Sequence, residues 1–133
     1  MTDFADVAVL LFAGHWVGDY WVQTSWQAAT KPQRDAEGRT ACALHVTTYT
    51  ITLAVFLLLG AALHLPYTLA GVFIALAVSA VTHYFADRRF PLRKLASLIG
   101  SEGYWDNGGA PFLDQAWHLG WLTVCAVLVA TLP

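Results

Sequence analysis

Charge is scarce in this chain. Only 12% of its 133 residues are Asp, Glu, Lys or Arg, while 57% are hydrophobic, and the mean hydropathy is +0.52. A soluble domain of ordinary composition carries about 25% charged residues, so the composition points to an integral membrane protein. Cations are the scarcer sign: Lys and Arg number 7 against 9 Asp and Glu, for a net charge of −2. Such a balance offers no basic face and excludes nucleic acid as an expected partner. The start of the chain lacks the basic segment of a signal peptide, since residues 1–6 hold two Asp and no Lys or Arg. The first apolar run is therefore expected to stay as a span. Cysteine is limited to Cys42 and Cys125, in separate runs, which argues against a disulfide and leaves them as small packing residues.

Long apolar runs are what the chain has in plenty. Residues 4–26, 40–63, 67–87 and 111–132 each reach the ~20 residues that cross a bilayer as a helix. His64, Leu65 and Pro66 leave so short a link between the second and third runs that those two form an antiparallel hairpin. The expected fold is a single all-α domain over residues 1–133, an integral membrane four-helix up-down bundle. Lys31, Arg34 and Arg39 follow the first run, and Arg88, Arg89, Arg93 and Lys94 follow the third. In an up-down bundle those two loops share a side, which the positive-inside rule makes cytoplasmic, with both termini outside. Over residues 91–100, Leu92, Leu95, Leu98 and Ile99 recur at helical spacing opposite Arg93 and Lys94. This predicts a short interfacial helix between spans three and four. Residues 101–110, SEGYWDNGGA, read as a mobile loop before Pro111 opens the fourth span.

Ionisable residues inside spans are costly and face the bundle interior. The first run carries His15 and Asp19, the second His45, the third His83 and Asp87, and the fourth Asp114 and His118. Three of these runs thus hold a His/Asp pair at i, i+4, which puts both side chains on one helix face and within reach of a single ion. A lone His such as His45 would read as a hydrogen-bonded interfacial residue, and His64 more so. Seven groups converging at one depth read as a site. No Lys or Arg lies within the runs, so Asp19, Asp87 and Asp114 are expected to meet without internal cations. They then need protons or a metal, and neutral imidazoles beside them favour the metal.

Imidazole and carboxylate ligands suit zinc foremost, with manganese or iron as alternatives; one or two ions are expected, and because four His with three Asp are more than one tetrahedral ion can use, two ions sharing a carboxylate and a water are favoured. A two-metal centre activates water and clamps a displaced oxygen. The expected function is accordingly a membrane-embedded metal-dependent hydrolase at the cytoplasmic end of the bundle. One of Asp19, Asp87 and Asp114 would serve as base, and the substrate would be an amphipathic, lipid-type phosphoester, ester or amide. Gln23, Ser79 and Gln115 are placed to hydrogen-bond the ligands, and Lys31 and Arg88 to meet a polar substrate head. Alternatives are a divalent-cation or proton transporter or channel, or a small metal-stabilised regulatory protein. The apolar outer halves of all four runs speak against a continuous conduit, although a homo-oligomer could build a path between subunits.

The ordered blocks GHWVGDYWVQTSW with Lys31, then His45, HYFAD and FLDQAWH resemble domain of unknown function 3307, a family of small multi-pass membrane proteins of bacteria and phages. The resemblance covers nearly the whole chain. It implies a bacterial inner-membrane location and brings no assigned reaction. Many members carry a Lys shortly after the second His-x-x-x-Asp, whereas here Arg88 and Arg89 follow Asp87 directly.

Overall fold

The computed structural model describes residues 4–133. Helix α1, Phe4–Val17, passes without a break into a π-helical turn, Gly18–Val22, and stops at Gln23, whose ψ swings to 128°. The cause lies in the next residues. Thr24 and Gln27 form a reciprocal capping box that opens α2, Ser25–Thr30: the Gln27 amide donates to Thr24 Oγ1 (3.2 Å) and the Thr24 amide to Gln27 Oε1 (2.8 Å). The first apolar run, expected to be continuous to residue 26, is therefore cut after Val22, because a satisfied cap outcompetes hydrophobic continuity.

Asp35 starts α3, Ala36–Ala62, by accepting from the Gly38 amide at 2.8 Å, so this helix begins earlier than residue 40. After the expected tight link, where His64 has a φ of 64°, Thr68 caps α4, Leu69–Asp87, through the Gly71 amide (3.0 Å). Helix α5, Phe90–Leu98, with Pro91 in its first turn, is the short amphipathic helix expected over 91–100. The segment expected as a mobile loop is instead mostly helical. Helix α6, Glu102–Tyr104, leads into a π turn, Trp105–Gly109, and on into α7, Ala110–Thr131. Gly108, at φ 93°, takes the kink that only glycine adopts freely. Arg93 of α5 holds this turn through Asp106 at 3.1 Å.

The described residues are helical with no strand, and three stretches are long and apolar enough to cross a membrane: Ala36–Ala62, Leu69–Asp87 and Glu102–Thr131. Helices α1, α3, α4 and α7 pack in a closed circuit, α1 on α3 and α7, and α4 on α3 and α7. Neighbours are antiparallel: Gly14 lies by Leu53 and Gly60 by Leu10, while Trp117 bonds Thr82 and Cys125 bonds Ala75. At one end Val7, Leu11, Leu53, Leu57, Leu122 and Val129 form an apolar core. Cys42 and Cys125 are free and buried, as packing residues. Large apolar side chains such as Val9, Ile51, Leu58, Phe73 and Val81 point outward, the distribution of a surface solvated by lipid rather than water.

Candidate metal centre

The polar residues of the four long helices meet at the opposite end of the circuit. Each i, i+4 pair presents both members inward, and His45 of α3 faces them. Five distances define the centre. His45 Nε2 lies 3.0 Å from His83 Nε2, 3.1 Å from Asp19 Oδ1 and 3.3 Å from Asp87 Oδ2. His83 Nε2 lies 3.3 Å from Asp19 Oδ1 and 3.1 Å from Asp87 Oδ2. A tetrahedral shell of nitrogen and oxygen ligands about 2.0 Å from an ion has edges of about 3.3 Å, and these five separations are close to that length.

Hydrogen bonding alone does not account for the arrangement. Two imidazole nitrogens face each other and two carboxylates, and His118 Nε2, 4.0 Å from Asp87 Oδ1, is buried without a hydrogen bond. Such a convergence of buried nitrogens and carboxylate oxygens could hold a cation. The outward nitrogens, Nδ1 of His45 and His83, make no hydrogen bond either, so these rings are held by packing. Tyr49 does much of it: its ring lies 3.8 Å from that of His83, centroid to centroid. Gly18 makes room for that ring, since a Cβ there would come within 2.8 Å of Tyr49 Cδ2. The close approach and the widened π turn together carry Asp19 to His45.

His15 is fixed from both sides. Its Nδ1 meets the Tyr49 hydroxyl at 3.1 Å and its Nε2 the Gln115 Oε1 at 2.9 Å, with Asp19 Oδ2 3.7 Å from Nδ1. It flanks the four-atom cluster and approaches His83 and His118 closely enough for all three to share an ion. His118 in turn lies 3.7 Å from Asp114 Oδ2 and 4.0 Å from Asp87 Oδ1. All seven ionisable residues singled out from the sequence thus gather at one level.

The expectation that no cation reaches the carboxylates is overturned. Lys31, from the segment after α2, turns inward, 8% exposed, and its Nζ pairs with Asp87 Oδ1 at 2.8 Å. Gln23, with its amide oriented to satisfy both neighbours, donates to the Asp19 carbonyl (3.1 Å) and accepts from Lys31 Nζ (2.9 Å). Arg88 is buried too, and its guanidinium donates to the carbonyls of Lys31 and Gln33. Lys31 and Arg88, expected to meet a polar substrate head, both bond to the site's own residues, Arg88 while also lining the cavity beside it. Ser79 is buried beside the Tyr49 hydroxyl, one step removed from the ligands.

A cavity of about 470 Å³ adjoins the cluster at Asp114 and Gln115, and Tyr20, Arg34, Arg89 and Trp105 are among its other lining residues. Asp114, its side chain 28% exposed, is the carboxylate that reaches it. Tyr49 and the cavity arginines Arg34 and Arg89 escaped the sequence reading. Tyr49 could have been found as the residue four beyond His45 on the same face.

The family described as Protein of unknown function (DUF3307) matches residues 7–132, and the chain belongs to it. No curated protein and no solved structure matches.

Proposed function

We propose that this family member is a membrane-embedded, metal-dependent hydrolase, holding a divalent ion between Asp19, His45, His83 and Asp87 at the cytoplasmic end of a bundle of four spans. The observation that carries the reading is the set of five interatomic distances of 3.0–3.3 Å among those residues. A mixed imidazole and carboxylate set suits zinc foremost, then manganese or iron. Such an ion supplies Lewis acidity and a water of lowered pKa. Asp87, Asp114 and His118 could hold a second ion, but Lys31 already places a positive charge on Asp87, and we favour one.

The remaining residues have roles the geometry supports. Asp114 faces the cavity and takes the proton of the attacking water, with His118 behind it. His15, locked by Tyr49 and Gln115, fills the inner wall. Placing the four helices in a membrane rests on the hydropathy of α3, α4 and α6–α7, on the apolar exterior, and on Trp16, Tyr20, Trp21 and Trp26 exposed near the site, as in an interfacial belt. The basic residues all lie at the site's end, which makes that end cytoplasmic. Leu11, Leu53, Leu57 and Leu122 close the far side, which favours a one-sided active site over a conduit.

Elemental analysis of the detergent-purified chain tests this. About one transition-metal ion per chain is expected in wild type, with loss in both His45→Ala and His83→Ala. A wild-type protein that stays free of transition metal after metal-replete growth overturns the proposal.

A further inference from the structure

The cavity beside Asp114 carries a charge pattern that the metal centre does not use. Of the arginines that line it, Arg88 is spent on two carbonyls, and Arg93 is tied to Asp106 at 3.1 Å. Arg34 and Arg89 are exposed, and neither has a carboxylate partner among the described residues. Arg34 is nevertheless held in place, its guanidinium carbon 4.9 Å from the centre of the Phe90 ring, a stacking that fixes the plane of the fork. Arg89 is held by its backbone. The Phe90 amide bonds back to the Arg88 carbonyl at 2.6 Å, with Arg89 between them at φ 55° and ψ −46°. This is the rare positive-φ γ-turn, a strained conformation for an L-residue.

We propose that this cavity recognises the phosphate of a phosphomonoester, with Arg34 and Arg89 as its anchors. The proposal rests on the hydrolase reading and names its substrate class. Two guanidinium forks without counter-ions present more donors and more charge than one carboxylate can match. A phosphomonoester supplies three oxygens and close to two negative charges. The reaction balances as a hydrolysis: the water oxygen bonds to phosphorus, and the ester P–O bond breaks. The water's proton passes to Asp114, and the departing alcohol takes a proton from solvent at the cavity mouth. Trp105, Phe90 and Pro111 give the cavity apolar walls that suit an amphipathic alcohol.

Isothermal titration of the full chain in mixed micelles tests this, with phosphatidic acid, phenyl phosphate and oleate as probes. Phosphatidic acid is expected to bind wild type and Lys94→Ala alike. Binding to Arg34→Ala/Arg89→Ala should be weaker by about tenfold or more, the loss expected of charge-assisted hydrogen bonds. The single variant Arg34→Ala, on an exposed side chain, should show part of that loss if the double variant folds poorly. Displacement of the lipid by phenyl phosphate assigns recognition to the phosphate alone; failure to displace it assigns the substrate to the membrane; either supports the proposal. Equal affinity for oleate, or no dependence on Arg34 and Arg89, overturns it. Metal content on the same samples separates the two readings. Wild type that carries its ion but shows no arginine dependence sinks the phosphate site alone. Arginine-dependent binding by a chain without an ion sinks the hydrolase.

Discussion

The two ends of the helix circuit hold the same four helices by opposite means. At one end Leu11, Leu53, Leu57, Leu122 and Val129 interdigitate without a polar atom among their side chains. At the other, imidazoles, carboxylates, an ammonium and a tyrosine hydroxyl are buried together and hold one another in place. Apolar packing degrades gradually, by the volume removed. A buried polar cluster fails abruptly, because each member removed strands the others. The first end should tolerate a lost side chain and the second should not.

Breaking the polar end should do the most damage. Asp87→Ala removes one corner of the four-atom cluster and strands Lys31 in a buried position, at an expected cost of about 3–5 kcal/mol. Thermal unfolding in detergent should show it as a large fall in midpoint with the bound metal lost. At the apolar end, Leu53→Ala should cost about 2–3 kcal/mol, the low part of the range for buried leucine, because the reference environment is lipid. Metal content should stay at the wild-type value, and its loss would show that the two ends are not independent.

Gly18→Ala sharpens the boundary between them. Its Cβ would fall 2.8 Å from Tyr49 Cδ2, whereas a Cβ at Gly120 would meet nothing within 4 Å. The first change should cost about 1–3 kcal/mol by overpacking and weaken metal binding by pushing Asp19 from His45. Gly120→Ala should be neutral or slightly stabilising; equal behaviour of the two would remove the argument for close approach. A smaller effect than at Asp87 is expected of Tyr49→Phe, about 1 kcal/mol for the lost hydrogen bond to His15, since the ring that packs on His83 is kept. The ion should be retained, and hydrolysis lowered through a loosened His15.

How much of this was legible in the sequence follows the range of the interactions. The His/Asp pairs could be read because i, i+4 spacing is a local property of a helix, and their common depth followed from where each run starts and ends. Tyr49 was not read, since an aromatic residue in an apolar run looks like core until its hydroxyl is seen against His15. The inward turn of Lys31 is not legible in the sequence, because hydropathy says nothing about a side chain returning from beyond a helix break. That break is itself written in the sequence: Thr24 and Gln27 have the spacing of a capping box inside TSWQ, whereas hydrophobic continuity alone points to an end at residue 26 rather than 22. In residues 101–110, glycine content argues for a loop, whereas the non-helical angles inside the π turn are confined to Asn107 and Gly108.

Arg88 and Lys31 close a ring. The residue after Asp87 grips the peptide carbonyl of Lys31, whose ammonium grips Asp87 itself. These partners are 57 positions apart in the chain, and contacts between such distant residues are completed late in folding, after the loop-closure entropy has been met by the helices between them. The helix circuit would then assemble before the strap of residues 31–33 docks. If Asp19, His45, His83 and Asp87 hold an ion, this ring bars its exit, and chelators should strip the ion far faster from Arg88→Ala than from wild type.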